Sequence, residues 1–292
     1  MAATGVKSAG RMLVVGGGYT GQRLAARARA AGFETLLTSR EPRDSTATIR
    51  WLPFDSRSGV LPRAEDLADV THVLVTVPPD GEEGDPSLRL LGPSLRTLPL
   101  RWVGYLSTTG VYGNTDGAWV DETAATPARP GRSLARLKAE DAWRASGLPV
   151  QIFRLPAIYG PERTPFRALQ AGQSRLIHKP GQVFSRVHVE DIAGAVLHCL
   201  ALPATERPGL LNVADDCPCS SSEAISYAAH LLGCKLPAME RFASIEGGMS
   251  PMARSFWMEN RRVSNRRLCQ QLGYRLLYPS YREGYRAFFS SM

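Results

Sequence analysis

The sequence predicts an α/β protein, a doubly wound parallel sheet with a smaller, mainly helical C-terminal lobe. Three observations lead there. Six short apolar runs alternate with helical stretches between residues 11 and 154, the pattern of a parallel sheet covered on both faces. The first run ends in closely spaced glycines that open a helix. Beyond Pro161 the alternation gives way to short strand-like pieces between helices.

The first strand, Arg11-Met12-Leu13-Val14-Val15, leads into Gly16, Gly18 and Gly21. Their G-x-G-x-x-G spacing is that of a Rossmann dinucleotide site: the first glycine permits the tight turn, the second lets a pyrophosphate approach the backbone, and the third lets helix and strand pack closely. Tyr19 and Thr20 lie inside the motif, where a helix N-terminus presents N–H groups to phosphates. The helix is expected over 22–31, stopping at Gly32, and a second strand over 34–38 completes the βαβ unit. About 20 residues past the glycines, where an acid would grip the ribose hydroxyl of NAD, stand Ser39 and Arg40. This pair favours a 2′-phosphate and hence NADP, with NAD as the other cofactor; an exposed loop arginine is the alternative for Arg40.

A third strand over 48–52 leads to Asp55. A fourth, 71–77, has the continuous apolar character of a central parallel strand and ends at Pro78-Pro79, where the chain turns over the carboxyl edge of the sheet. A Gly/Asp-rich loop, 80–85, precedes a helical stretch up to Leu98. The fifth strand, 101–106, delivers Ser107-Thr108-Thr109 to that same edge. A helix over 133–145 stops at Gly147, and the sixth strand spans 149–154. Further on, strand pieces at 175–177 and 187–189 precede a helix over 192–202, and 210–213 adds a strand to the sheet. Ser220 and Glu223 have the spacing of a capping box, opening a helix that ends at Gly233. Residues 11–163 with 186–213 are the expected dinucleotide-binding core, and 164–185 with 214–292 the expected substrate lobe. Residues 1–10 are read as a flexible N-terminus, a short leader being the alternative.

With 43% hydrophobic and 21% charged residues among 292, the composition is that of an ordinary globular protein. Five cysteines without a C-x-x-C point to reduced thiols in a reducing compartment, and Cys217 and Cys219 read as small residues in a turn rather than metal ligands. The net charge of +8 is dispersed, and its main cluster, Arg261-Arg262 with Arg266-Arg267, reads as the solvated face of a helix. Nucleic acid is therefore not expected as a partner; a phosphate-rich cofactor or an anionic small-molecule substrate uses such charge more simply. No run approaches the length of a membrane span, so a cytoplasmic protein is expected, with no membrane partner and no metal.

Several stretches resemble the extended short-chain dehydrogenase/reductases, which include the NAD-dependent epimerases and dehydratases. They are the glycine turn, Leu106-Ser107-Thr108-Thr109-Gly110-Val111-Tyr112-Gly113, Arg154-Leu155-Pro156-Ala157-Ile158-Tyr159-Gly160-Pro161, Val187-His188-Val189-Glu190-Asp191-Ile192-Ala193, Leu211-Asn212-Val213-Ala214, and a tail running from Val263-Ser264-Asn265 through Leu272-Gly273-Tyr274 to Tyr278-Pro279-Ser280-Tyr281-Arg282-Glu283-Gly284. The resemblance spans nearly the whole chain, and the order of the stretches is what makes it specific. It implies that Asp55 sits at the adenine, Pro78 beside the adenosine ribose, Thr108 at the position of the catalytic Ser/Thr, and Pro156 near the nicotinamide. A loop-capping aspartate, a turn proline, a strand-end hydroxyl and a strand-ending proline are the respective alternatives.

One part of the family pattern is missing. The family pairs a tyrosine with a lysine one turn later on the helix after the fifth strand, so that the lysine lowers the phenol's pKa and the phenol transfers a proton. Aligning Glu140 with the family's glutamate puts Arg132 at the tyrosine and Arg136 at the lysine; a two-residue shift puts Leu134 and Lys138 there. No tyrosine occurs between Tyr112 and Tyr159. Arginine keeps its proton near neutral pH. Arg132 and Arg136 either hold an anionic group or lie on a solvated helix face, and the proton would come from Thr108 through water, from Tyr112 or from the substrate lobe. The sequence thus supports an atypical NADP-using oxidoreductase or epimerase-like enzyme, or a dinucleotide-binding protein that senses or interacts without turnover.

Overall fold

A computed structural model of the chain describes residues 9–46 and 49–290. Its first half runs β1 (Gly10–Val15), α1 (Tyr19–Ala30), β2 (Phe33–Ser39), β3 (Arg50–Pro53), α2 (Ala64–Leu67), β4 (Val70–Val75), α3 (Pro86–Leu95), β5 (Trp102–Thr108), β6 (Trp119–Val120), α4 (Arg132–Arg144) and β7 (Val150–Leu155). The second half adds β8 (Ala157–Tyr159), α5 (Phe166–Gln170), β9 (Leu176–His178), β10 (Arg186–His188), α6 (Val189–Ala201), β11 (Leu210–Asn212), α7 (Ser221–Leu232), β12 (Met239–Arg241), α8 (Phe242–Ile245), α9 (Pro251–Trp257), β13 (Arg262–Val263) and α10 (Tyr281–Phe289).

Seven strands form one sheet in the order β11-β7-β5-β4-β1-β2-β3. The pairs β1–β2, β1–β4, β2–β3 and β4–β5 are parallel. The chain starts mid-sheet, moves outward through β2 and β3, and returns to the other side of β1 with β4. That reversal leaves a crevice at the carboxyl ends of β1 and β4, where open α/β sheets bind ligands. Leu13, Val15, Val73, Val75, Val103 and Ile152 are fully buried in one core, and the residues between them, Met12, Val14 and Leu74, are fully buried as well.

The chain divides into two compact units: Met1–Val111 with Arg129–Arg154 and Ile192–Leu211, and Tyr112–Ala128 with Leu155–Asp191 and Asn212–Met292. Segment 112–128 is held in the second unit by a β6–β13 pairing of Trp119 with Arg262 and Val120 with Val263. The second unit has its own aromatic core of Phe166, Tyr159, Tyr281 and Tyr285. Asp191, fully buried in the first turn of α6, accepts hydrogen bonds from the Tyr274 hydroxyl (3.1 Å) and from the backbone N–H groups of Leu277 (2.7 Å) and Tyr278 (3.0 Å). This carboxylate ties the tail to a stretch more than eighty residues earlier. Gly284 is required where α10 crosses Tyr159, because a Cβ there would lie 2.5 Å from the ring.

Several boundaries move from the sequence expectation for local reasons. Helix α1 starts at Tyr19 rather than at 22, because Gly18 takes the extended N-cap position and its carbonyl accepts from Gln22 N–H at 3.0 Å. β4 ends at Val75 rather than 77, since Thr76 turns back to bond Val15 and Gly16. The third strand begins at Arg50; Thr48, its expected start, lies outside the described residues, as do residues 1–8 of the expected flexible N-terminus. The helix before β5 stops at Leu95, and α6 begins at Val189. The arginine cluster is not one helical face. Arg262 lies in β13 and donates to the Gly117 carbonyl, and Arg261 donates to the Gly113 carbonyl, because this stretch is drawn against the 113–120 loop. The capping box forms as expected, with reciprocal bonds between Ser220 and Glu223 and a left-handed Gly233 closing α7. β11 is the added edge strand beside β7.

Candidate functional site

The glycine turn between β1 and α1 is fastened from below. The Gly16 N–H donates to the Thr38 hydroxyl (2.9 Å) and the Gly17 N–H to the Thr38 carbonyl (2.7 Å), while the Thr76 hydroxyl donates to the Gly16 carbonyl (2.8 Å). Each glycine then has its own reason. Gly16 has φ +102°, a conformation side chains rarely adopt. A Cβ at Gly21 would sit 2.1 Å from the Gly16 carbonyl oxygen, so helix and turn touch directly. Gly17, to which the sequence assigned no role, is needed because Trp51 fills the space: its Cζ3 lies 2.2 Å from where a Cβ would be. At Gly18 alone in this turn no atom lies within 4 Å of that point. The α1 N-terminus has no side-chain cap and no acid in its first turn, so its positive end is left for an anion.

The neighbouring strand ends supply the rest of this rim. Ser39 closes β2 beside Pro53, and its carbonyl accepts from the Phe54 N–H at 2.9 Å. Arg40 follows it, exposed. The Asp55 carboxylate accepts from the Ser58 hydroxyl (2.8 Å) and the Arg57 N–H (3.1 Å), and these bonds, with the nearby charge of Arg40, hold it below the usual carboxylate range. Asp55 therefore caps its own turn while lying within the field of Arg40. Pro78 is exposed just past Thr76, which is bonded to the turn.

At the end of β5 the side chains of α4 meet the sheet. Thr108 is half-buried and its hydroxyl accepts from the Gly110 N–H at 3.1 Å. A Cβ at Gly110 would lie 2.7 Å from the Ser133 hydroxyl and 3.4 Å from that of Thr108, so Ser133, unremarked in the sequence, belongs to this corner. Arg136 is turned into the sheet: its Nη1 donates to the Leu106 carbonyl (2.9 Å) and the Tyr105 hydroxyl (3.0 Å). The solvated-face alternative thus fails for Arg136. Burial pushes the Tyr105 phenol far up, with the Arg136 charge opposing. One turn on, Glu140 is fully buried and accepts from Arg154 through both oxygens (3.0 and 2.7 Å), from Arg144 (3.1 Å) and from the Ser107 hydroxyl. Asp85 caps α3 by accepting from the Leu88 N–H (3.0 Å), and burial raises its pKa.

No family model matches the chain. Solved structures are similar over nearly their full lengths, three of them as follows. A functionally unknown conserved protein from Silicibacter pomeroyi DSS is 43% identical, with a TM-score of 0.88 over 97% of this chain and 99% of that one. A Methylobacillus flagellatus protein assigned to the NAD-dependent epimerase/dehydratases is 26% identical, with a TM-score of 0.75 over 97% and 99%. The fold is that of the NAD-dependent epimerases and dehydratases of the extended short-chain dehydrogenase/reductase type, to which the chain is similar along its length. The fold alone is shared with the human epimerase family protein SDR39U1, solved with NADPH, at 17% identity and a TM-score of 0.76 over 97% of this chain and all of that one.

Other residues singled out by the resemblance fall in the second unit. Pro156 stands between β7 and β8, half-buried. Tyr112 is not available as a proton donor, a correction to the sequence reading: it is fully buried and its hydroxyl is committed to the Asn212 side chain at 2.8 Å. That bond joins two of the resembling stretches, and Glu122, outside them, accepts from the Asn212 N–H at 2.8 Å. The same unit holds a cavity of about 740 Å³ lined by Asp121, Glu122, Asp216, Asn265, Arg266 and Arg267 among others, a surface of mixed charge. Sequence spacing could not have found it, because its walls come from three separated segments. Among the described residues no helix is long and apolar enough to cross a membrane.

Proposed function

We propose that this protein is an NADP-dependent oxidoreductase or epimerase-like enzyme that acts on a small molecule without a Tyr-x-x-x-Lys pair. The observation that carries the reading is Gly18: it is the motif position where a Cβ would meet open space, whereas Cβ atoms at Gly16, Gly17 and Gly21 would collide with protein atoms. Open space at Gly18 before a helix N-terminus without a side-chain cap fits a pyrophosphate held by Gly16, Gly18, Tyr19, Thr20 and Gly21. Ser39 and Arg40 would meet the 2′-phosphate, Asp55 and Pro78 would border the adenosine, and Pro156 the nicotinamide. Similar structures include one named NAD-dependent and one solved with NADPH. The choice therefore rests on Ser39-Arg40 in place of an acid.

When bound, the nicotinamide supplies hydride transfer. The protein's own residues divide the remaining work. Thr108 accepts from Gly110 and keeps its hydroxyl proton for a substrate oxygen. Arg136, in the lysine's place, spends its N–H groups on Leu106 and Tyr105 and stays charged, so it fixes the end of β5 and adds positive potential without moving a proton. Buried Glu140 supports the register that aligns Arg136 with the lysine, since the shifted register offers only half-buried Leu134 and exposed Lys138. Arg132, exposed in the first turn of α4, is the group suited to hold an anionic part of the substrate. The five cysteines, all unpaired, agree with a reducing, cytoplasmic setting.

Fluorescence titration with NADPH and NADH tests the reading. NADPH should bind at least tenfold more tightly, the scale of a charge-assisted phosphate contact; equal or reversed affinities overturn the assignment of Ser39 and Arg40. The absence of a phenol favours a second reading, a dinucleotide-binding protein without turnover. Substrate-dependent oxidation of bound NADPH separates the two.

A further inference from the structure

The loop between β2 and β3 carries a second arginine whose placement the protein builds. The Arg43 guanidinium carbon lies 4.6 Å from the centre of the Trp51 ring, a cation over an aromatic face. Trp51 is itself wedged against the glycine turn, its Cζ3 and Cη2 lying 2.2 and 2.6 Å from where a Cβ of Gly17 would stand. The loop is tied down on the same side: the Trp51 N–H donates to the Ser45 hydroxyl (2.9 Å), and Thr46 and Ile49 exchange bonds of 2.8 and 3.1 Å. Glycine turn, indole and guanidinium thus follow one another beside the carboxyl ends of β1 and β2.

Charge alone does not make this rim select an anion. Across residues 40–44, Arg40 and Arg43 are balanced by Glu41 and Asp44. What differs is placement. Stacking occupies the face of the guanidinium and leaves its N–H edge free to fork onto a phosphate. Arg43 is exposed and makes no ion pair among the described residues, and the Ser39 hydroxyl has no partner among them either.

We propose that Arg43, positioned by Trp51, is a further specificity-determining residue that holds the 2′-phosphate of NADP together with Ser39 and Arg40. This rests on the NADP reading above. Trp51 acts through Arg43 and is a positioning residue.

The test uses the full chain, titrated with NADPH and NADH at low and high salt. Arg43→Ala should weaken NADPH about tenfold, leave NADH within about twofold, and flatten the salt dependence of NADPH binding. Arg43→Lys should recover only part of the loss, since an ammonium neither stacks nor forks in the same way. Trp51→Leu should reproduce the Arg43→Ala loss, and Trp51→Phe, which keeps a ring, should restore most of the preference. Equal weakening of both cofactors by Arg43→Ala, or no change, overturns the role of Arg43. A Trp51→Leu protein that binds NADPH normally overturns the positioning role, and Arg43→Ala, a surface change, decides the main point should Trp51→Leu not fold. A wild-type chain without preference for NADPH removes the cofactor reading itself; wild-type preference that survives in Arg43→Ala removes only this inference.

Discussion

At the scale of single residues, three glycines of the turn make contrasting predictions. Gly18→Val should abolish NADPH binding and leave the melting temperature within about 2 °C of wild type, because its side chain meets no protein atom and enters the exposed space that the pyrophosphate would occupy. Gly17→Ala must displace Trp51 and should cost about 1–3 kcal/mol, as overpacking does. Gly21→Ala faces a backbone oxygen that cannot step aside and should cost at least as much. Thermal melts and titrations on the three variants check this; a folded Gly18→Val protein with normal affinity would remove the turn from the site. Arg132→Ala should raise KM with a smaller change in kcat, since a permanently charged group can bind an anion but not shuttle a proton. Steady-state kinetics decides it, and a collapse of kcat at constant KM would show a role in the chemistry itself.

At the scale of elements, the contact of α4 with β5 and β7 rests on Glu140. Its carboxylate faces the buried Arg154, whose side chain is only 4% exposed, and breaking one member of such a pair strands the other charge. Glu140→Gln should therefore destabilise the chain by about 3–5 kcal/mol, whereas the double variant Glu140→Gln with Arg154→Met should recover much of that loss. Urea unfolding measures both, and a single-variant cost below about 1 kcal/mol would deny Glu140 this role. Much of this element was visible in advance: the apolar runs and glycine stops of the helices and strands are local properties. Reach was not. Nothing in the spacing of Arg132 and Arg136 distinguishes one arginine that stays exposed from one that turns under the sheet to Leu106 and Tyr105.

At the scale of the whole molecule, two buried groups, one in each unit, make stability depend on pH with opposite sign. In the first unit, burial lowers the pKa of His72 from 6.5 to about 4. Between those values the unfolded chain binds the proton and the folded one does not, so this contribution is complete above pH 6.5 and is lost as pH falls toward 4. In the second unit, burial raises Asp215 from 3.8 to about 8, so the folded chain keeps a proton that the unfolded chain gives up, and stability falls as pH rises through that window. Asp215→Asn should flatten the loss of melting temperature between pH 5 and pH 8, and His72→Asn the loss between pH 6.5 and pH 4.5. Calorimetry across pH checks both, and an unchanged slope in either variant would assign the dependence to other groups.

The main strands of the central sheet, the glycine turn and the absence of a tyrosine from α4 were determined by the sequence itself, because each depends on residues close together in the chain: apolar runs set strands, a G-x-G-x-x-G spacing sets a turn, and a residue type absent from a helix is absent in any fold. The tertiary structure alone decided which groups meet. Gly17 acquires its purpose from Trp51 more than thirty residues away, Tyr112 loses its hydroxyl to Asn212, and Asp191 finds its partners in the tail. Such pairings are set by the register of parallel strands and by packing across the sheet, where one side chain's neighbours come from distant segments whose approach no local pattern encodes.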